Sequence, residues 1–345
     1  MGTLPRMTRP ALLTAAALAL ATILPAPGEA QESVARTPDS IIAAAPPGDW
    51  IAIAPDDLLV MNLAPDAQGR ARNVVIQLLP PPYSQGWVEN IRTLAVAHWW
   101  DGTSVYRVVD NWVAQWGDGE DEKADAKPLP PGLNGVPESA YVVPLARADA
   151  PDQAGQSILA QAGVAGRDVS TRDPYAPLTT FENGWPIGVT FDSKWPTHCY
   201  GTVGVARDLS PDTGTGAELY AVIGHAPRQL DRNIAVVGRV IEGIEHLAML
   251  ARGTAEAGVY ASEAEHTPIV SVRLASELAA DQRPTFEYLD TSGPSFARYA
   301  AVRAARSDEF YRVPAGGVDV CNLQVPIRRA ERGAESGLEP PVAGE

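Results

Sequence analysis

The stretch that most constrains the fold runs from Trp99 to Asp118 and reads WWDGTSVYRVVDNWVAQWGD. Ser104 to Val109 and Trp112 to Trp116 are runs of β-branched and aromatic residues on either side of Asp110-Asn111. That is the composition of a tight antiparallel hairpin. With a three-residue connection, Asp110 to Trp112, Val109 faces Val113 and Arg107 faces Gln115. Side chains alternate along a strand, so Val105, Arg107 and Val109 are expected on one face and Tyr106 and Val108 on the other. A guanidinium beside an amide on a face otherwise made of valines is either an ordinary surface arginine whose aliphatic stem lies on the valines or part of a site.

Asp49 to Ile53, Leu58 to Leu63, Asn73 to Leu78, Thr202 to Ala206, Glu218 to Ile223, Ala235 to Val240 and Pro268 to Leu274 read as further strands. After Pro80-Pro81-Pro82, which no element interior tolerates, Trp87, Ile91, Leu94 and Ala95 recur at helical spacing, predicting a helix over Trp87 to Ala97. Ile244 to Ala251 predicts a second, shorter helix. Eight or so strands separated by turns, with two helices, favour a mainly β fold: a closed eight-stranded antiparallel barrel capped by the helices. Closure also removes exposed edges.

At the N-terminus, Arg6 and Arg9 precede the apolar run Ala11 to Leu24 and then Gly28-Glu29-Ala30, the pattern of a secretory signal peptide over residues 1–30. The apolar run is 14 residues long, against the roughly 20 that a spanning helix needs. The mature chain is therefore expected to begin near Gln31 and to be periplasmic or secreted, with no membrane contact after cleavage. Residues 31–48 are rich in Ala, Pro and Ser and read as a flexible leader. A net charge of −15 repels nucleic acid and anionic membranes. The chain has two cysteines, Cys199 and Cys321. In an exported chain they are expected to form a disulfide tying the tail to the main domain; two buried free thiols are the alternative.

Three segments in order resemble the cyclophilin-type peptidyl-prolyl isomerases. Val105-Tyr106-Arg107-Val108-Val109 and Trp112-Val113-Ala114-Gln115-Trp116-Gly117-Asp118 are similar to that family's Phe-His-Arg-Val-Ile, turn, Phe-Met-x-Gln-Gly-Gly-Asp hairpin. Gly204-Val205-Ala206 with Gly214 to Val222 resembles Ser-Met-Ala-Asn and Gly-Ser-Gln-Phe-Phe-Ile. Leu230-Asp231 with Val237-Gly238-Arg239-Val240-Ile241-Glu242-Gly243 resembles Leu-Asp, then Phe-Gly-Lys-Val-x-x-Gly. The resemblance implies a cyclophilin-like domain over 49–275, carrying a long insertion at about 119–200 and followed by a C-terminal extension, 276–345. The insertion holds Trp185, Trp195 and Tyr200 and is expected to pack on the barrel. In the extension, Phe296 to Arg306 is a helix candidate.

By the same resemblance the chain is expected to isomerise Xaa-Pro bonds of exported proteins, with Arg107 as the donor to the twisted amide and Gln115 orienting it or holding the substrate backbone. Trp112 and Val113 stand at the family's Phe and Met, Tyr220 at its second Phe and Leu230 at its pocket leucine. There are departures. Glu218 stands where the family has Gln, at a substrate-binding position from which it is placed to pair with Arg107. Arg207, Gln229 and Ile234 replace the family's Asn, Trp and His. These changes leave a second expectation, a catalytically weak or inactive module that binds proline-containing segments. Neither role calls for a cofactor. The five histidines show no HExxH or His-x-His spacing, the cysteines are not CxxC, and no G-x-S-x-G elbow is present, so no metal is expected.

Overall fold

The structure is a computed structural model that describes residues 37–119, 126–146 and 173–330. The expected signal peptide, part of the insertion and the end of the extension lie outside the described residues. In chain order the strands are β1 (Trp50–Ala52), β2 (Leu58–Leu63), β3 (Arg72–Leu78), β4 (Ser104–Val108), β5 (Val113–Gly117), β6 (Val143–Pro144), β7 (Leu178–Glu182) and β8 (Trp185–Val189). They continue as β9 (Ser193–Pro196), β10 (Thr202–Val205), β11 (Leu219–Val222), β12 (Val236–Glu242), β13 (Thr267–Leu274), β14 (Phe286–Leu289) and β15 (Ile327–Arg329). Eight of them close a barrel in the order β10-β11-β5-β4-β13-β2-β3-β12.

Alternation along the strands explains which face goes where. On β3, Val74, Ile76 and Leu78 join the barrel core, whereas Val75 belongs to a separate apolar cluster on the outside with Leu58, Phe286 and Tyr288. A strand covered on both faces loses the polar alternation of a half-exposed one. The helix Gln85–Val96 plugs the barrel with Trp87, Val88, Ile91, Leu94 and Ala95, all fully buried. Its polar groups are satisfied as they are buried: the Trp87 indole N–H donates to the Thr213 and Gly214 carbonyls, and the Asn90 amide to those of Asn134 and Thr215. The second helix, Glu245–Ala248, is a single turn that buries Leu247.

The insertion forms a four-stranded sheet, β6-β9-β8-β7, and its Tyr141, Trp185, Ile187 and Val189 enter the main core. Two boundaries differ from expectation. Residues 37 onward of the leader are not a flexible tether. They hold a helix, Pro38–Ala43, capped by Thr37 Oγ1 accepting from the Ser40 N–H at 3.2 Å, and Ile41 and Ala45 are buried against Phe296, Tyr299 and Ala300. Those three lie on the helix Pro294–Ala305 of the extension. β1 likewise leaves the barrel and pairs with β14, in a β1-β14-β15 sheet. The physical reason is the apolar outer face of β2 and β3, which this sheet covers.

Cys199 and Cys321 are joined by a disulfide across 122 residues of sequence. It fastens the extension to the segment leading into β10. Closing a loop of that length restricts the unfolded chain by about 5 kcal/mol. Cys321→Ser is therefore expected to lower unfolding free energy by about that amount, measured by urea titration with the wild type under reducing conditions as the matching control.

Candidate active site

The β4–β5 hairpin has Arg107 opposite Gln115, and the Val109 N–H donates to the Val113 carbonyl at 2.8 Å. The turn works because Asn111 takes the left-handed conformation, φ 52°, which Asn tolerates better than most residues. Gly224 packs on it: a Cβ there would fall 2.1 Å from the Asn111 carbonyl carbon. The face assignment needs one correction. The pairing shifts between Val105 and Arg107, a β-bulge, so alternation is interrupted. Val105 stays in the barrel core with Val108. Tyr106, expected on the opposite face from Arg107, instead reaches Gln115 on the same outer face.

Arg107 is half-buried. Its Nε donates to the Ala257 carbonyl at 2.7 Å and its Nη1 to Gln115 Oε1 at 2.8 Å. Gln115 passes the chain on, its Nε2 donating to the Tyr106 hydroxyl. Ala257 lies in a strap, residues 253–260, that runs beside β4: the Gly253 and Tyr260 N–H groups donate to the Val108 and Tyr106 carbonyls. The Arg107 guanidinium carbon also lies 5.1 Å from the Trp112 ring centroid, a cation–π contact. Burial pushes its pKa down, but from an ordinary value so high that the group stays charged. The expected pairing with Glu218 is not formed. That carboxylate accepts from the Asp118 and Gly119 N–H groups at 2.7 and 3.3 Å. Burial, with Glu218 alongside, pushes the Tyr106 phenol up.

Next to the guanidinium is an apolar patch. Val113, Tyr220 and Val222 are buried together, with Val109, Trp112, Ala206, Leu230 and Ile234 packed around them. Register explains the arrangement: Arg107, Gln115, Tyr220 and Gly204 are successive cross-strand partners over β4, β5, β11 and β10. A Cβ at Gly204 would sit 2.3 Å from the Tyr220 hydroxyl, so only glycine lets the ring lie flat across β10. The structure thus brings together Arg107, Gln115, Trp112, Val113, Tyr220 and Leu230, with Glu218 at the edge holding a turn.

Behind Tyr220 lies a buried polar chain that no sequence motif announced. The Tyr220 hydroxyl is 3.0 Å from His198 Nε2, and His198 Nδ1 is 2.9 Å from Asp231 Oδ1. Asp231 Oδ2 accepts from Arg228 Nε at 2.6 Å and from the Trp195 indole at 3.3 Å, and Arg228 Nη1 pairs with Asp173 at 2.6 Å. Burial acts to lower the Arg228 pKa, but Asp231 and Asp173 hold it above its ordinary value. The one available signal was Leu230-Asp231; His198 and Asp173 come from the insertion, where the family pattern gives no guide. Tyr106 was missed because a bulge leaves no mark on the sequence pattern.

A closed eight-stranded barrel with a guanidinium beside an apolar patch on its outer wall defines a cyclophilin-like protein. The sequence model described as cyclophilin type peptidyl-prolyl cis-trans isomerase/CLD matches residues 74–274, more than half of the chain. The chain belongs to this family of enzymes, which interconvert cis and trans peptidyl-prolyl bonds. Among solved structures it is similar to cyclophilin AquaCyp293 from Hirschia baltica, at 24% identity and a TM-score of 0.57, over 85% of this chain and 97% of that one. That alignment reaches beyond residues 74–274. Two structures of a Cryptosporidium parvum cyclophilin type isomerase, one in the presence of the dipeptide ala-pro, align over 62% and 63% of this chain and 98% and 96% of theirs. At 9% identity and TM-scores of 0.34 and 0.35 they do not bear on the site. No curated protein matches the chain in sequence.

Burial works to raise the Asp231 pKa, yet His198 and Arg228 hold it below its ordinary value. Its ionised form thus stabilises the fold fully above the unfolded value of about 3.9. That contribution is lost as pH falls through the depressed folded value. Asp231→Asn is expected to cost about 3–5 kcal/mol at pH 7, as for any buried pair that loses one partner, and to shallow the acid limb of a plot of melting temperature against pH.

Proposed function

We propose that this chain isomerises Xaa-Pro bonds in exported proteins, with Arg107 stabilising the twisted amide and the Trp112, Val113, Tyr220 and Leu230 surface receiving the proline ring. The observation that carries this reading is the state of the guanidinium. It is fixed on two sides by Gln115 and the Ala257 carbonyl, it adjoins an apolar patch, and no described carboxylate is paired with it. Its Nη2 group makes no hydrogen bond to the described residues, so donors remain for a ligand.

The chemistry needs little else. Rotation about the amide must give up resonance, a barrier of about 18–20 kcal/mol, and unaided it takes tens to hundreds of seconds. As the bond twists, the nitrogen regains a localised lone pair. A donor aimed at that nitrogen interacts weakly with the planar amide and strongly with the twisted one, so it lowers the barrier rather than merely binding substrate. The apolar patch grips the ring and leaves the flanking chain to turn. Gln115 acts through Arg107, holding the fork in one orientation. Glu218, occupied by backbone donors, shapes the turn at Gly117 to Gly119 and does not draw Arg107 away.

Export is supported by the arrangement of Arg6, Arg9, the Ala11 to Leu24 run and Gly28-Glu29-Ala30, and it makes unfolded proline-containing segments outside the cytoplasm the substrate class. Arg107→Ala is expected to lower kcat/KM for a Xaa-Pro tetrapeptide by about a hundredfold, the cost of losing one preorganised donor, with the circular dichroism spectrum unchanged. Exchange NMR measures it. Equal acceleration by both proteins removes Arg107 from the mechanism, and acceleration by neither favours a binding module.

A further inference from the structure

A cavity of about 430 Å³ lies where barrel, insertion and extension meet, within the size range of small-molecule sites. Phe181 and Trp185 of the insertion, Ile241 of β12, and Leu323 and Val325 of the extension supply apolar wall, and Arg239 lines it from β12. None of these residues belongs to the Arg107 surface. Each of Arg239's protein partners is neutral. Nε and Nη2 donate to Gln77 Oε1 at 2.9 and 2.7 Å, Nη1 donates to the Gly184 carbonyl at 2.7 Å, and the guanidinium carbon lies 4.4 Å from the Trp185 ring centroid. No described carboxylate forms an ion pair with it. Contrast Arg228, which is paired with both Asp231 and Asp173.

A guanidinium has five N–H donors. Three are engaged by Gln77 and Gly184, and two remain. Burial without a counter-charge pushes the Arg239 pKa down to about 9, with only the Tyr288 phenol opposing. Arg239 is half-buried on the cavity wall, and a cation with no fixed counter-charge there attracts an anion that enters the cavity. The chain as a whole carries −15, so its long-range field repels anions. An inorganic ion gains only the local contact. A ligand with an apolar body gains the walls as well, and this selects an amphipathic anion over a bare one.

We propose that this cavity binds a small apolar monocarboxylate, its carboxylate received by Arg239 and its hydrocarbon or aromatic body laid between the insertion sheet and the extension. The site is independent of the isomerase surface.

Isothermal titration of the full chain with octanoate, octan-1-ol and inorganic phosphate tests it. Octanoate is expected to saturate one site, octan-1-ol to bind at least tenfold more weakly, and phosphate to give no binding heat. Arg239→Gln is expected to bring octanoate down to the level of octan-1-ol. Val325→Trp, which fills the cavity from the extension side and leaves Arg239 in place, is expected to abolish octanoate binding. Both variants are expected to keep the wild-type isomerisation rate, because neither residue belongs to the Arg107 patch, so failure here is separable from failure of the isomerase reading. No octanoate binding by the wild type, octan-1-ol binding as tightly as octanoate, or unchanged octanoate affinity in either variant that still melts cooperatively overturns the proposal.

Discussion

The candidate site depends on one irregularity in one strand. Val105 and Tyr106 together oppose Trp116, and beyond them the register of β4 against β5 has moved by one. A bulge of this kind allows neighbouring residues to project to the same side. Strict alternation would put Val105 outside with Arg107 and forfeit about 1.5–3 kcal/mol for an unburied valine. With the bulge, Val105 and Val108 both fill the barrel, while Tyr106 and Arg107 both serve the outer face. The backbone groups that a regular neighbour would have satisfied are taken up by the strap at 253–260, whose N–H groups reach the Tyr106 and Val108 carbonyls. The same strap presents the Ala257 carbonyl to Arg107. Core packing and guanidinium orientation are thus solved by one local deformation.

Asp231 plays a comparable part behind the apolar patch. A carboxylate offers about four acceptor sites, and here the His198 backbone N–H, His198 Nδ1, Arg228 Nε and the Trp195 indole all converge on it. Assigning protons from the network, Nδ1–H donates to Asp231 and the Tyr220 hydroxyl donates to Nε2, which gives every contact one hydrogen. Of these groups, Trp195 and His198 belong to the insertion, Arg228 and Asp231 bracket the turn that carries Leu230, and Tyr220 forms the patch itself. A buried network with few unsatisfied members admits few alternative arrangements. The insertion therefore buttresses the apolar patch from behind, through the His198 contact to Tyr220.

Where local pattern and tertiary context agree, the structure was legible in the sequence. The hairpin register, Arg107 opposite Gln115, follows from turn length alone. The helix carrying Trp87, Ile91 and Leu94 follows from period, and β2, β3 and β13 from their apolar runs. What escaped lies where the pattern is silent. A bulge changes side-chain direction without changing composition, so Tyr106 was placed on the wrong face. His198 lies in Trp195-Pro196-Thr197-His198-Cys199, a segment with no periodicity, and its partners are 22 and 33 residues away in sequence. The leader looked mobile because Ala, Pro and Ser carry little apolar surface. Ile41 and Ala45 suffice only because a helix more than 250 residues later offers them a groove.

That groove exists for a reason that begins in the barrel. Leu58 and Val75 point away from the barrel core and are nonetheless fully buried, so these strands present apolar surface on both faces. A monomer rarely leaves such a contiguous patch in water, and β1, β14 and β15 cover it as a small sheet of their own. The insertion covers another sector, through Trp185, Ile187 and Val189. Two independent covers laid on a curved wall meet along a seam, and rigid sheets with their own twist do not fill a seam to core density. The cavity at Arg239 is that seam. Cys199 and Cys321 line it, so the covalent tie holds the covers together at the line where packing alone is weakest.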